Sequence, residues 1–261
     1  MTVEIAFAAL FGLLLGSFLN VCIYRLPRDL SVVWPGSRCL ACGHAVEPRD
    51  NVPVLSYLWL RGRCRYCRSS IYWRYPVVEA LIAVLFAGGV WLWGPTAQAA
   101  KFALFSFLLV GMIFSDLETR LLPDEFTKGG LAAGLALSLF VPFKMGLMAV
   151  FLPERWARWV PISEAALGAA IVSGAMLGIG YVFSKVRDKE GLGFGDVKMV
   201  AMIGAFLGIA PALITVCIGC VSASVLGVAY IYLAKKDFGT YELPFGTFLG
   251  VSALAVAVWT R

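Results

Sequence analysis

Apolar residues run through this chain in long blocks parted by short polar intervals, and the blocks set its architecture. A helix crossing ~30 Å of hydrocarbon needs ~20 apolar residues. Eight blocks approach that length: Ile5 to Ile23, Val77 to Trp93, Ala99 to Phe114, Leu131 to Val150, Ala165 to Phe183, Met199 to Ile209, Ala212 to Ala234 and Phe245 to Trp259. The sixth is short and its end is marked by Pro211, so the sixth and seventh also read as one broken hairpin. Composition supports the pattern. Of 261 residues, 60% are hydrophobic and 15% charged, and the mean hydropathy is +0.83, far from the values of soluble domains. The expected fold class is an all-α polytopic membrane protein with about eight transmembrane helices and one small polar insertion.

The polar intervals orient the blocks. Met1 to Glu4 carry no positive charge, and the first basic residues, Arg25 and Arg28, follow the first block. This predicts no cleavable signal peptide and an N-terminus outside the cytoplasm. Intervals after odd-numbered blocks then face the cytoplasm. Arg25 to Arg74, Asp116 to Lys128, Ser184 to Lys198 and Lys235 to Phe245 hold 9, 2, 4 and 2 Lys or Arg, 17 of the 22 in the chain, leaving Lys101, Lys144, Arg155, Arg158 and Arg261 elsewhere. The net charge of +6 is therefore a topology signal, and no nucleic-acid partner is needed to explain it. The chain divides into a first helix at 1–24, a cytoplasmic insertion at 25–75 and a membrane domain at 76–261. A second insertion, Pro142 to Ser163, sets Trp156 and Trp159 beside Arg155 and Arg158, as expected of a short helix in the aromatic belt of the outer interface.

Candidate chemistry changes the picture in two places. Within 25–75, Cys39-Leu-Ala-Cys42 and Cys64-Arg-Tyr-Cys67 form two CxxC pairs. Two such turns supply the tetrahedral S4 set of structural zinc, and the reducing cytoplasm argues against disulfides. A closed S4 site leaves no position for a catalytic water, so the metal is expected to organise a domain too small to build its own core. His44, the one histidine, is expected to face solvent. Cys217 and Cys220 lie inside an apolar block and Cys22 ends another, where packing is the expected role.

The second place is acidic. Carboxylates near hydrocarbon are costly and mark function. Asp116 ends the third block and Asp196 begins the sixth, at one depth on one side by the topology above. An aspartyl protease needs two carboxylates so placed, one ionised to take a proton from water and one protonated to polarise the scissile carbonyl. Asp196 closes Gly191-Leu192-Gly193-Phe194-Gly195-Asp196, whose glycines permit backbone close to a substrate. No GK[ST] ending follows, so the loop is not a phosphate cradle. The other reading is an interfacial loop whose Asp196 caps a helix N-terminus.

Gly193-Phe194-Gly195-Asp196 matches the GxGD signature, and the chain resembles the type IV prepilin peptidases, the bifunctional leader peptidases and N-methyltransferases. The resemblance covers almost the whole chain. Gly16 to Val21, Arg25-Leu26-Pro27, the two CxxC pairs, Asp50 to Pro53, Leu60 to Cys64, Tyr75 to Glu79, Asp116 to Asp124, the GxGD loop and Pro244-Phe245-Gly246 occur in the family's order. The resemblance implies that Asp116 and Asp196 are the catalytic pair. It implies cleavage of the basic leader from prepilins or type II secretion pseudopilins at the cytoplasmic face of a bacterial inner membrane, followed by N-methylation with S-adenosylmethionine.

Asp124, rival to Asp116, is expected to N-cap the next helix. Gly193 and Gly195 shape the loop, Lys198 steadies Asp196 or flanks the membrane, and Glu79 binds substrate, serves the second activity or pairs with an arginine of the insertion. Leu40 and Thr247 stand where many members have proline, and both departures are expected to lie away from the chemistry. Two readings from other classes are a non-catalytic zinc-bearing assembly factor and a proton-coupled transporter. The latter expects its acids near the bilayer midplane.

Overall fold

A computed structural model describes residues 1–141, 143, 146–151, 153–187, 192–235 and 243–260. Pro142 and Lys144 of the second insertion, Gly191 of the glycine motif, and Lys189 and Lys236 of the basic intervals lie outside the described residues. In hydrocarbon every backbone polar group must be satisfied within its own segment. The apolar blocks accordingly form helices, and the only β-structure among the described residues is two isolated bridges in the insertion.

The helices fall into two compact units, 1–111 and 112–261. The first holds α1 (Thr2–Arg25), α2 (Leu55–Trp59), α3 (Arg74–Trp93) and most of α4 (Ala97–Thr119). α1 and α3 approach backbone to backbone, since a Cβ on Gly16 would stand 2.7 Å from Glu79 Cα. Small residues at such a contact give membrane helices the close packing that apolar burial cannot supply in lipid. Beside it, buried Asn20 donates to Tyr75 O (3.0 Å) and accepts from Arg74 Nε (3.2 Å).

The second unit holds the end of α4, then α5 (Asp124–Ser138), α6 (Met148–Phe151), α7 (Val160–Arg187), α8 (Phe194–Leu207), α9 (Ile209–Leu233) and α10 (Phe245–Trp259). α7 meets α8 through Gly168, where a Cβ would lie 2.7 Å from Gly204 O. Glu164, 0% exposed, accepts from Ile209 N (3.0 Å) and Met148 N (2.8 Å). One carboxylate thus satisfies the first amides of two helices, where the helix dipole favours negative charge.

The chain is a polytopic, all-helical membrane protein. Five segments are long and apolar enough to cross a membrane: Thr2–Arg28, Arg74–Trp93, Ala97–Thr119, Arg155–Val186 and Ile209–Leu233. The blocks expected to be fourth, sixth and eighth form helices of only 15, 14 and 15 residues. The fourth begins at Asp124, earlier than expected, and ends at Ser138. Pro211 does not end the sixth helix. Gly208, at φ +84°, makes that break, and Pro211 lies in the first turn of α9, where a missing amide costs nothing. Trp156 and Trp159 are exposed on a short 3-10 turn, Glu154–Trp159, that leads into α7.

Candidate functional site

Asp116 occupies the last turns of α4. Arg120, at φ +58°, and Pro123, the N-cap of α5, turn the chain just beyond it, so α4 ends with the carboxylate near its tip. Asp116 is only 5% exposed. Its Oδ2 accepts two hydrogen bonds from one residue, the Thr247 amide (2.7 Å) and the Thr247 hydroxyl (2.9 Å), in the first turn of α10. Thr247 Oγ1 also reaches Ile113 O (3.3 Å), on the helix that carries Asp116.

Asp196 lies in the first turn of α8, whose N-cap is Gly193. It makes no side-chain cap bond. Its Oδ2 folds back over Gly193, 3.0 Å from where a Cβ would sit, so a larger residue there would press on the carboxylate. Leu122 ties the elements together. A Cβ on Gly195 would meet Leu122 Cβ at 3.3 Å, and one on Gly246 would meet Leu122 Cδ2 at 3.2 Å and Asp116 Cγ at 3.3 Å. The end of α4 and the starts of α8 and α10 therefore converge, and the Asp116 and Asp196 carboxylates are near enough for their charges to interact.

In the other unit the four thiols of Cys39, Cys42, Cys64 and Cys67 lie within 4.8 Å of one another. The Cys39 and Cys67 sulfurs are 3.8 Å apart, matching the ~3.8 Å edge of a tetrahedron built on Zn–S bonds of ~2.3 Å. The halves of this cluster repeat one design. Each CxxC turn ends in a positive-φ residue, Gly43 (+70°) or Arg68 (+60°), and is closed by an antiparallel bridge, Arg38 with Ala45 or Arg63 with Ser70. The amides of Cys42 and Ala41 point at Cys39 Sγ and hold its thiol down to about 6. Four sulfurs converging at this spacing, with Cys39 held toward its thiolate, fit a divalent soft-ligand metal. Exposed His44 sets its ring against that of Tyr66, tilted by 35° with centroids 3.6 Å apart, and faces solvent as expected. Asp50 braces the two halves through Arg65, which donates from Nε (2.7 Å) and Nη2 (2.5 Å) and holds the carboxyl below its usual range.

Comparison with known proteins decides the family. The Bacterial Peptidase A24 N-terminal domain model matches residues 10–93, and the Type IV leader peptidase family model matches residues 102–228. Three relatives are each called "Prepilin leader peptidase/N-methyltransferase". The protein of Pseudomonas putida is 32% identical over 98% of this chain and 90% of its own length, and that of Burkholderia pseudomallei (strain 1026b) 34% over 97% and 84%. That of Pseudomonas aeruginosa is 32% identical over 96% and 88%. The chain belongs to the type IV leader peptidase family. No solved structure matches it.

Within this leader peptidase the cysteine cluster falls in the first matched region and both aspartates fall in the second. Several expectations for neighbouring residues need correction. Asp124 is the first residue of α5, not its N-cap, and makes no cap bond. Its Oδ2 pairs with Lys128 (2.7 Å) and its Oδ1 with Lys198 (2.5 Å). Lys198 therefore reaches Asp124, not Asp196, because its long side chain runs out over Phe194 (5.1 Å to the ring) toward α5. Glu79 accepts the Val54 amide at 2.7 Å, a backbone tie to the insertion. Cys22 is buried as expected, whereas Cys217 and Cys220 are exposed on α9.

Thr247 is the residue that sequence reasoning set aside. It was expected to lie away from the chemistry, yet both of its donors fall on Asp116. The signal was the residue type itself. Proline at this position would have neither amide N–H nor hydroxyl to give.

Proposed function

We propose that this chain is a membrane-embedded aspartic endopeptidase that removes the leader from prepilin-like substrates, with Asp116 and Asp196 as the acid and base. The observation that carries the reading is the convergence of the two carboxylates where α4, α8 and α10 meet. Like charges that close favour a state with roughly one proton shared between them. In that state the ionised carboxylate takes a proton from water as the oxygen attacks the scissile carbonyl. The protonated one gives its proton to the carbonyl oxygen, and collapse of the tetrahedral species breaks the C–N bond as the amine collects a proton. Gly193 and Gly195 let the Asp196 carboxylate and Leu122 close onto α8's first turn and so set that carboxylate against the end of α4. Thr247 fixes one oxygen of Asp116 and so sets which face of the carboxylate meets the water.

Eight helices, α1, α3, α4, α5, α7, α8, α9 and α10, would then lie in a bacterial inner membrane, with the N-terminus periplasmic. The polar insertion and both aspartates would face the cytoplasm, where 17 of 22 basic residues fall. The substrate, a pilin or secretion pseudopilin, would lay its apolar helix in the bilayer and present a basic leader to that face. The cysteine cluster would hold zinc, fixing the 25–75 domain without joining the reaction. As the relatives' name implies, the new N-terminal amine would be methylated, S-adenosylmethionine supplying the methyl group. The described helices offer no strand-to-helix glycine turn of the kind that cradles nucleotides, and no residue is assigned to that group.

The test is cleavage of a prepilin-like peptide, with its membrane helix, by purified protein in lipid. Asp116→Asn or Asp196→Asn should abolish cleavage in protein that remains folded. Full turnover by either variant overturns the dyad, and no cleavage by the unmodified protein would leave an assembly role in its place.

A further inference from the structure

The 25–75 insertion contains an apolar surface that its own fold does not use. α2 carries Leu55, Leu58 and Trp59 on one stripe by their i, i+3, i+4 spacing, and they are 65%, 65% and 84% exposed. The opposite side of the helix is occupied, with Ser56 Oγ bonded to Val52 O (2.6 Å) and Tyr57 packed under Gly62. Bare tryptophan and leucine on a polar domain of some fifty residues need a partner, and such patches mark interaction sites.

Two ties fix where this surface lies. Val54, which leads into α2, gives its amide to Glu79 Oε2 at 2.7 Å. Glu79 is the sixth residue of α3, about 7 Å along the helix from Arg74 at ~1.5 Å per residue. Even with a side chain tilted back toward the N-terminus, the Val54 nitrogen stands level with the first turn of a membrane span. Val54 is held there at φ +60°, a conformation that a β-branched residue adopts only under constraint. On the other side, Arg25, the last residue of α1, donates to Ser31 O (2.8 Å) and Pro35 O (2.7 Å), which binds the loop carrying Trp34, itself 77% exposed, to the end of that span.

Charge supplies the remaining argument. Residues 25–75 hold nine arginines against three acids, and two of those acids already pair with Arg49 and Arg65. Arg61 and Arg63, both exposed, directly follow the apolar stripe. A Trp/Leu face edged by arginine is the pattern of an interfacial helix on anionic lipid.

We infer that α2 and the Trp34 loop lie in the membrane interface, with Leu55, Leu58 and Trp59 at the boundary of headgroups and acyl chains and Arg61 and Arg63 on anionic headgroups. The inference rests on the membrane reading of α1 and α3 and not on the proteolytic one. The insertion is then a monotopic element seated on the same leaflet that α1 leaves and α3 enters.

The test uses the full-length protein in phosphatidylcholine liposomes containing acyl-chain-brominated lipid, with the emission of Trp59 taken as the difference between wild type and Trp59→Phe. Most of that emission should be lost to bromine and little to aqueous iodide. Leu58→Trp, as a second reporter, should add a component equally sensitive to bromine. Brominated phosphatidylglycerol should quench more than the same amount of brominated phosphatidylcholine, and Arg61→Gln with Arg63→Gln should remove that preference. Emission indifferent to bromine and open to iodide overturns the inference. So does shielding that appears only when a substrate peptide is added, which would make the stripe a protein contact. Equal quenching by the two lipids overturns the anionic part alone.

Discussion

At the scale of single residues, the site turns on how Asp116 is held. Asn at Asp116 or Asp196 keeps the volume and removes the titrating oxygen, so each change should lower kcat by about a thousandfold or more. The double variant should be no worse than either single, because residues acting as one unit are not additive. The pH profile of the wild type should be bell-shaped, its limbs belonging to the coupled pair and not to either residue alone. Asp124→Asn loses only ion pairs with Lys128 and Lys198, and exposed pairs contribute little, so most cleavage should survive. Thr247→Ala removes the hydroxyl donor and leaves the amide. A hydrogen bond to a charged group is worth ~1.5–3 kcal/mol, so kcat should fall about tenfold or more. The pH limbs should move as well, which a packing defect would not produce, and Thr247→Ser should restore both. Residue type and depth offered Asp116 and Asp196 as a pair, the family resemblance singled them out, and their carboxylates do converge. Thr247 was not legible, because its role depends on the first turn of α10 meeting the end of α4, a contact 131 residues long in sequence.

At the scale of elements, the insertion shows what spacing reveals and what backbone conformation hides. Two CxxC turns announced the cluster, and purified protein should hold about one zinc. Cys39→Ser or Cys64→Ser should destabilise the 25–75 domain, measured by hydrogen exchange, while Cys217→Ser, on an exposed face of α9, should be nearly silent. The equivalence of Gly43 and Arg68 was invisible, since an arginine gives no hint that its φ is positive. Left-handed backbone costs a non-glycine residue about 1 kcal/mol or more. Arg68→Gly should therefore stabilise the zinc-loaded domain by up to about that amount, read from thermal unfolding. A lower melting temperature would mean that the Arg68 side chain has a use outweighing its strain.

At the scale of the whole molecule, the block pattern located every long helix, and the errors lay at ends. Pro211 looked like a terminator, but proline is welcome in a helix's first turn, and a glycine whose φ no pattern discloses made the break. Glu164 drew no notice because a lone acid beside an interfacial tryptophan reads as solvent-facing, whereas the fold buries it against two helix starts. Topology remains testable by reporter fusions. Gly62 and Trp156 should report opposite sides of the membrane, and like signals would place the insertion and the tryptophan turn on one face.

The three short helices have a consequence for the bilayer itself. α5, α8 and α10 have 15, 14 and 15 residues, about 21–23 Å of helix, against ~30 Å of hydrocarbon. Two of them, α8 and α10, begin at the proposed dyad. If all three cross the bilayer as proposed, lipid beside α5 and α10 must thin, or the helix ends must sink beneath the headgroups with water following, and either adjustment costs fractions of a kcal/mol for each ångström of mismatch. On that reading acyl-chain length becomes a control on catalysis. Cleavage in short-chain phosphatidylcholine should outpace that in long-chain lipid of the same headgroup, and the difference should appear in kcat with a soluble peptide substrate that has no membrane helix of its own to mismatch.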